Sequence, residues 1–288
     1  MRMKTLTSRT VIFLILILLF AIPRMLLAAT GIMGALGEEI ADIRKDMALE
    51  NTVTVAGRSF FVGKCEGRDI VLVKSEIGKV NAAMTAQILI DKFNVDRIIF
   101  TGVAGGVDEK LKPGDIVIAT KLAQHDYGII QGNNLTVNSL LIPRDGGKAD
   151  SVTFFDTDST LAQSALDAAK QTQFKELSLA RYGKHYPVVT SGIIVTGDQF
   201  IASAKKREWL KKTLNASAVE MEGGAVAQVC ETYRVPYIVI RAVSDLADDI
   251  ATDTFIKMKD TAALNSAMLV ENMLKNMNPP SGSVENKK

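Results

Sequence analysis

Runs of β-branched and other apolar residues alternate along this chain with segments whose apolar residues recur every three or four positions. This alternation predicts strands followed by helices, and therefore an α/β fold built on a central sheet. Several strand segments are too apolar for a sheet edge, which indicates that helices cover them on both faces. The 288 residues are enough to bury one large core, so a single globular domain is expected.

The predicted elements occupy the chain from about residue 28 to residue 276. Strands are predicted over 28–35, 53–55, 59–62, 70–74, 97–101, 116–119, 188–196, 216–219 and 237–243. Helices are predicted over 38–48, 79–93, 160–172, 202–214, 222–233 and 255–276. The segment 124–187 is the least regular, because glycine and asparagine residues interrupt it, and its length indicates a functional or mobile region.

The first 28 residues have the composition of a targeting segment. Three basic residues precede an apolar stretch over 11–22, and small residues close the segment at Ala28. This order is typical of a cleaved signal peptide over 1–28, and it predicts an exported protein, periplasmic or secreted. An uncleaved membrane anchor is the alternative, although Pro23 and Arg24 interrupt the span before it reaches the roughly 20 residues that a membrane helix needs.

The end of the chain and its charge complete the domain outline. Residues 278–288 carry prolines, serines and charged residues and predict a disordered tail, which leaves 29–277 as the catalytic domain. The formal charge of +2 depends on four basic residues in the first 28 positions. Without that segment the charge turns slightly negative, so the composition excludes an extended nucleic-acid surface.

Cofactor and metal signals are missing from the sequence. Two cysteines and two histidines cannot assemble a zinc cluster, and no glycine-rich segment has a P-loop lysine or dinucleotide-binding spacing. We therefore expect neither a metal nor a cofactor. Export would permit a disulfide between Cys65 and Cys230, but the apolar pattern around Cys230 favours a buried free thiol.

Four short segments follow predicted strands, where open α/β sheets bind their ligands. In the first, 31–39, a glycine turn leads to a helix with Glu38 and Glu39 in its first turn. Acidic residues also favour helix N-termini for electrostatic reasons alone, so this segment keeps a structural alternative. The second, 101–106, is a glycine-rich turn that lets backbone amides approach a ligand or only reverses the chain.

The third and fourth segments place charges at the ends of buried strands. In 218–222 an apolar strand ends in Glu220, Met221 and Glu222, and period-two geometry predicts both glutamates on one face and the methionine on the other. In 241–245 a similar strand carries Arg241 and ends in Asp245. Such charges are costly unless they are paired or used, so a functional site and a structural arginine–glutamate ion pair are both open.

These four segments, in this order, resemble the methylthioadenosine/S-adenosylhomocysteine nucleosidases of the purine nucleoside phosphorylase superfamily. The similarity extends from about residue 30 to about residue 276 and includes further segments at 77–80, 114–117 and 196–201. It implies a nucleoside phosphorylase-like three-layer α/β/α sandwich with a mixed central sheet. It further implies a homodimer that hydrolyses the N-glycosidic bond of a small-molecule adenine nucleoside. Removal of the predicted signal peptide would leave this domain free of the membrane.

The resemblance also implies roles for individual residues. Glu39 corresponds to the residue that activates water, Glu222 to the ligand of the sugar hydroxyls and Asp245 to the general acid that protonates the leaving adenine. Arg241 corresponds to a supporting catalytic residue. The implied substrate-binding residues are Leu36, Val103, Phe200, Ile201, Glu220, Met221, Ser244 and Phe255, with Phe200 and Ile201 forming the adenine platform.

Water is the expected nucleophile, because a phosphorylase needs a cationic clamp for phosphate, and segments 31–39 and 101–106 contain no Arg or Lys. Val103 stands where the nucleosidases often have a serine, and Leu36 replaces a common methionine. Segment 124–187 is longer than in compact members of this family, so the identity of the 5′ substituent of the substrate stays open. Two alternatives are another purine nucleoside hydrolase, of adenosine or futalosine type, and a non-catalytic nucleoside-binding protein on the same fold.

Overall fold

The apolar runs form the inner strands of an eleven-stranded mixed sheet. A computed structural model describes residues 29–132, 134–144 and 146–277, and these form one compact unit. The predicted signal peptide over 1–28 and the predicted tail over 278–288 lie outside the described residues. Both therefore stay predictions.

The strands and helices are numbered here in chain order. The strands are β1 (Thr30–Gly34), β2 (Ala48–Val55), β3 (Arg58–Cys65), β4 (Arg68–Lys74), β5 (Arg97–Phe100), β6 (Val103–Gly106), β7 (Ile116–Gln124), β8 (Gly128–Gln131), β9 (Asn134–Val137), β10 (Leu140–Pro143), β11 (Ala149–Val152), β12 (Phe155–Asp156), β13 (Leu177–Leu179), β14 (Gly183–His185), β15 (Val189–Thr196), β16 (Ala216–Glu220) and β17 (Tyr237–Asp245). The helices are α1 (Gly37–Asp46), α2 (Lys79–Phe93), α3 (Ser159–Ala169), α4 (Ala204–Leu214), α5 (Gly223–Tyr233) and α6 (Ala251–Asn276).

Successive residues of the inner strands enter two different cores. In β1, Ile32 packs with the residues of α1, α3 and α6, while Met33 packs with those of α2 and α5. In β17, Ile238 and Val239 divide between the same two cores. Because side chains alternate across a strand, this requires helices on both faces of the sheet. The predicted three-layer α/β fold with a mixed central sheet is confirmed.

The strand order places the last strand in the middle of the sheet. The order is β12-β7-β15-β16-β6-β17-β5-β1-β4-β3-β2, and β7 also pairs with β17. Strand β17 runs parallel to both β5 and β6, and β1 runs parallel to β5 and β4. The extra pairing joins β7, β15, β16, β6 and β17 into a closed ring of strands. The carboxyl ends of β1, β5, β16 and β17 consequently lie near one another.

Several predicted boundaries are wrong for local reasons. The glycine turn predicted over 101–106 contains strand β6, because Gly105 and Gly106 pair with β16. The helix predicted from residue 255 already begins at Ala251. The first helix ends at Asp46, and Ala48 belongs to β2. The segment 124–187 holds α3 and the hairpins β8–β9, β10–β11 and β13–β14, whose strands of three or four residues are too short to give a periodic signal.

Two further observations concern the thiols and the helices. Cys65 and Cys230 are both buried and free, which confirms the free thiol predicted for Cys230. Over the residues that the structure describes, none of the helices combines the length and the hydropathy required to span a membrane.

Candidate active site

A cavity of about 570 Å³, its open mouth included, lies at the carboxyl ends of the central strands. Its volume is within the range typical of small-molecule sites. The lining residues are Ala35, Leu36, Glu39, Ile77, Val103, Ala104, Gly105, Gln199, Phe200, Ile201, Val219, Glu220, Met221, Glu222, Ser244, Asp245 and Phe255. Every predicted site residue except Arg241 therefore lines one cavity.

Glu39 lies in the first turn of α1 and is 3 % exposed. Its Oε2 accepts hydrogen bonds from the backbone N–H groups of Ala35 and Leu36, at 2.5 and 2.9 Å. Its Oε1 accepts one from Val103 N–H at 3.0 Å. Burial raises the pKa of Glu39, and the nearby Arg241 charge opposes that shift. The residue therefore both stabilises the helix start and presents a carboxyl group to the cavity.

Glu220 and Arg241 form the buried ion pair that the sequence left open. Arg241 Nη2 donates to Glu220 Oε2 at 2.8 Å, and its Nη1 donates to the carbonyl oxygen of Phe100 at 3.2 Å. The guanidinium also lies over the Phe100 ring, 4.1 Å from its centroid. Arg241 is 1 % exposed and lies behind the carboxylates, so the predicted catalytic arginine is not part of the cavity lining.

Glu222 stands one residue before α5, beyond the end of β16. Its Oε1 accepts Gly78 N–H at 2.9 Å, and its Oε2 lies 3.9 Å from Arg241 Nη2. Burial and the neighbouring Glu220 raise the pKa of Glu222. The period-two prediction for this segment is wrong, because the strand ends at Glu220. Met221 lines the same cavity as both glutamates.

A β-bulge in β17 sets the direction of Ser244 and Asp245. Its pairing with β6 shifts register between Val243 and Asp245, so two successive side chains reach one cavity. Asp245 Oδ2 accepts the Ser244 hydroxyl at 2.8 Å, and Oδ1 accepts Ala247 N–H at 2.9 Å. Burial outweighs these bonds and raises the pKa of Asp245 to about 6. This carboxyl group can therefore hold a proton near neutral pH.

Apolar side chains make up most of the remaining lining. Phe200 and Phe255 meet edge to face with ring centroids 5.6 Å apart, and Phe200 is 47 % exposed at the mouth. Ile201 is buried beside them, while Leu36, Val103 and Met221 are half-buried. The arrangement offers a flat aromatic face and an apolar wall close to the carboxyl groups.

Sequence reasoning missed several contributors. Ile77 and Gln199 line the cavity; both lie in segments that carry the family resemblance, but neither was assigned a role in the site. Gly78, with φ of 99°, donates its N–H to Glu222 from the start of α2. A left-handed glycine immediately before a helical pattern was the available signal. Thr196 is buried behind the cavity and bonds to Glu220, a contact that only the pairing of β15 with β16 creates.

Carboxyl groups dominate the chemistry of this site. Among the described residues, no group of three or more His, Cys, Asp and Glu side chains is arranged to hold a metal ion. What the lining offers is a protonatable Asp245, a cluster of Glu39, Glu220 and Glu222 around one guanidinium, and an aromatic face. Such groups suit acid–base chemistry on a bound aromatic base and its sugar.

Fold and site together define an α/β protein of the nucleoside phosphorylase type. The chain belongs to the phosphorylase superfamily, whose family model matches residues 29–275. A 5′-methylthioadenosine/S-adenosylhomocysteine nucleosidase of Colwellia psychrerythraea is 38 % identical over 252 residues, which is 85 % of this chain and 94 % of the relative. These findings confirm the predicted family resemblance.

Solved structures agree with the sequence comparison. A Helicobacter pylori 5′-methylthioadenosine/S-adenosylhomocysteine nucleosidase in complex with a substituted pyrrolidin-3-ol matches with a TM-score of 0.73 and 30 % identity, covering 87 % of this chain and 99 % of that one. A native futalosine hydrolase of the same organism matches with the same TM-score, identity and coverage. The chain is thus similar both to a 5′-methylthioadenosine/S-adenosylhomocysteine nucleosidase and to a futalosine hydrolase.

Proposed function

We propose that this chain hydrolyses the N-glycosidic bond of an adenine nucleoside of the 5′-methylthioadenosine or S-adenosylhomocysteine type. The products are free adenine and a ribose derivative. The observation that carries the proposal is the presence of Asp245, Glu222 and Glu39 in one cavity with an aromatic face. The similarity to nucleosidases over most of the chain supports it. The chain is therefore an N-glycosidase.

Cleavage of a ribosyl C–N bond develops positive charge on the sugar and negative charge on the leaving base. Asp245, with its raised pKa, donates a proton to N7 of adenine, and the Ser244 hydroxyl orients its carboxyl group. Glu222 accepts hydrogen bonds from the ribose hydroxyls and places negative charge near the sugar. Glu39 orients and deprotonates the attacking water. These roles account for proton transfer at both ends of the reaction.

The remaining lining residues bind the base and the sugar. Phe200 stacks on adenine, and Ile201 contacts it through its backbone. Leu36, Val103, Met221 and Phe255 enclose the sugar and its 5′ substituent, which favours an apolar group there. Arg241 acts from behind the carboxylates, because its charge supports Glu39 and Glu222 without touching the substrate.

Water is the nucleophile in this proposal. Within the described part of the chain, no Arg or Lys side chain lines the cavity, and the buried Arg241 is already paired with Glu220. A phosphate ion would meet Glu39 and Glu222 with no cation to clamp it.

The test is product analysis with purified protein. Methylthioadenosine, S-adenosylhomocysteine, adenosine and inosine are incubated with and without inorganic phosphate. We expect free adenine and free reducing sugar in both conditions, with the thioether nucleosides cleaved fastest. Formation of a sugar 1-phosphate would contradict the hydrolytic mechanism.

The second candidate is a purine nucleoside hydrolase with another 5′ preference. This candidate is supported by the similarity to a futalosine hydrolase, which matches with the same TM-score and identity as the nucleosidase. Adding futalosine to the substrate panel separates the two, since a larger kcat/KM for futalosine than for methylthioadenosine would select this candidate.

We also propose export of the protein, on the order of basic, apolar and small residues in the first 28 positions. A family match that starts at residue 29 is compatible with a leader ahead of the domain. N-terminal sequencing of material from the periplasm or medium would start near Ala29 or Thr30. Recovery of Met1 on membrane-bound protein would support the anchor instead.

A homodimer is the proposed assembly. Val80 and Met84 on α2 are 77 % and 39 % exposed, and Tyr233 on α5 is 39 % exposed. Contiguous exposed apolar residues on neighbouring helices are typical of association surfaces. Light scattering after size exclusion is expected to give twice the chain mass, and Val80→Glu is expected to shift it toward the monomer.

A further inference from the structure

Thr196, the last residue of β15, is fully buried and connects two parts of the site through its hydroxyl group. The hydroxyl donates to Glu220 Oε1 and accepts from Gly224 N–H at 2.6 Å. Gly224 lies in the first turn of α5, where N–H groups have no partner inside the helix. One side chain thus orients a carboxylate and completes the start of a helix.

Protein groups use most of the acceptor sites of Glu220. Its Oε2 accepts from Glu222 N–H at 3.1 Å, Gly223 N–H at 2.7 Å and Arg241 Nη2 at 2.8 Å, while Oε1 accepts the Thr196 hydroxyl. Each carboxylate oxygen offers about two lone-pair sites, so Oε2 is fully used by its three donors and one site remains on Oε1. The predicted contact of Glu220 with substrate stays a prediction: the residue borders the cavity, but most of its hydrogen bonds are to protein groups.

We propose that Thr196 and Glu220 are positioning residues that together fix Arg241 and the backbone over 221–224. The proposal rests on the proposed function. Through this pair, Glu222 is held against Gly78 N–H, and Arg241 is held beside Glu39 and Glu222. Gly197 N–H also donates to the Glu220 carbonyl oxygen at 3.1 Å, so the loop that carries Phe200 begins at the same point. The pair therefore joins the base-binding and sugar-binding parts of the site.

Charge gives the pair a second effect. The ionisable groups around the Arg241 guanidinium are Glu39 from α1, Glu220 from β16 and Glu222 before α5, with Asp245 further along β17. Glu220 makes the close contact, at 2.8 Å, whereas Glu222 lies at 3.9 Å. Neutralising Glu220 would leave the arginine charge to act on Glu39 and Glu222.

The first test compares Thr196→Val, which removes the hydroxyl group, with Thr196→Ser, which keeps it. Thr85→Val is the matched control, because Thr85 is equally buried and donates to a helix carbonyl outside the cavity. Kinetics are measured well below each variant's Tm. We expect kcat/KM to fall by about tenfold to a hundredfold in Thr196→Val, with lower kcat and higher KM, as small misplacements cause. Thr196→Ser and Thr85→Val are expected to stay near the parent value.

The second test is the pH profile of Glu220→Gln. The acid limb of kcat/KM is expected to move to lower pH by about one unit, since the freed arginine charge favours ionised Glu39 and Glu222. An unshifted limb, or a Thr196→Val enzyme with parental kinetics while folded, would overturn the proposal. If the parent chain releases no adenine, the proposed function fails. Calorimetry with a non-hydrolysable adenine nucleoside analogue then tests the pair, and equal affinities of Thr196→Val and Thr196→Ser would overturn it.

Discussion

At the scale of single residues, the acid in β17 is the most sensitive point of the site. Asp245→Asn keeps the shape and one hydrogen bond to the base but cannot give up a proton. We expect kcat to fall by about 10²- to 10⁴-fold, the usual contribution of general acid catalysis. Stopped assays of adenine release measure the change, with Asp253→Asn on the exposed face of α6 as the control that leaves turnover unchanged. Near-parental turnover in Asp245→Asn would remove the acid assignment.

The same residue sets an expected pH dependence. Burial raises the pKa of Asp245 to about 6, so the free enzyme holds the catalytic proton below that pH and loses it above. Loss of this proton should therefore lower the kcat/KM for methylthioadenosine above about pH 6 relative to the Asp245→Asn variant, while ionisation of Glu222, whose pKa is raised to about 8, acts in the opposite direction in both enzymes. The residual activity of Asp245→Asn should lack this limb. A ratio of parent to Asp245→Asn kcat/KM that stays constant from pH 5 to 8 would contradict the role of this carboxyl group.

Glu39 and Glu222 should separate by their effects on binding. Glu39→Gln deprives the water of its base but removes no ground-state contact with the nucleoside, so turnover falls and analogue affinity persists. Glu222→Gln weakens a charge-assisted bond to the sugar hydroxyls that exists before and during reaction, so both quantities fall. Isothermal calorimetry with a non-hydrolysable nucleoside makes the distinction. Loss of analogue binding in Glu39→Gln would contradict the roles assigned to Glu39 and Glu222.

At the scale of elements, α6 contains a buried carboxyl group that the reaction does not use. Glu271 Oε1 is buried without a hydrogen-bond partner, and burial together with Asp46, Asp42 and Glu66 raises its pKa to about 7. In the unfolded chain a glutamate titrates near 4.3. Between these two pH values the folded state therefore binds one more proton at Glu271 than the unfolded state. The contribution of this proton to the free energy of unfolding is fully present below about pH 4.3 and is lost as pH rises through about 7.

Glu271→Gln removes this titration while keeping the shape. We expect the variant to gain Tm relative to the parent at pH 8, and to gain much less at pH 5, where the folded parent already holds its proton. Glu50→Gln, an exposed position on β2, is the control and should show no pH-dependent difference. Thermal melting is measured by calorimetry or fluorescence. Equal gains in Tm at both pH values would exclude a link between protonation of Glu271 and stability.

What the sequence predicts well are the elements with strong periodicity. The apolar runs of β1, β5 and β17 and the long pattern of α2 predict their own structures, because burial on one or two faces fixes their residue pattern. The short hairpin strands between β7 and β15 and the glycine-containing β6 are set by pairing with distant strands instead. A local pattern carries no record of those partners.

The site divides in the same way. Glu222 and Asp245 are candidates from the sequence because carboxyl groups at or just beyond the ends of apolar strands are costly without a use. Glu39, in the first turn of α1, is a candidate mainly through the family resemblance, which also supplies the roles of all three. The true environment of Glu220 is not predictable, since its donors come from Thr196, Arg241 and the start of α5. The bulge that directs the side chains of both Ser244 and Asp245 toward one cavity is not predictable either, because it depends on the register between β17 and β6.

At the scale of the whole molecule, the order of the strands in space differs from their order in the chain. Strand β17, the last to be synthesised, lies between β5 and β6 and carries both Arg241 and Asp245. Before it pairs, the half of the sheet formed by β1 to β5 leaves β5 with free backbone groups, and the half formed by β6, β7, β12, β15 and β16 leaves β6 and β7 with free backbone groups. Unpaired edges of this kind add strands from other chains.

Premature termination of the chain is therefore expected to cause aggregation rather than a partial loss of activity. A chain that stops before Tyr237 contains Glu39 and Glu222 but exposes edges of β5, β6 and β7 where β17 would pair. Such a fragment should form inclusion bodies rather than a weakened enzyme, and supplying a peptide that spans 237–276 during refolding should recover soluble, active protein. Nonsense mutations along this gene are thus expected to be equally inactivating at every position up to the codon for Asp245.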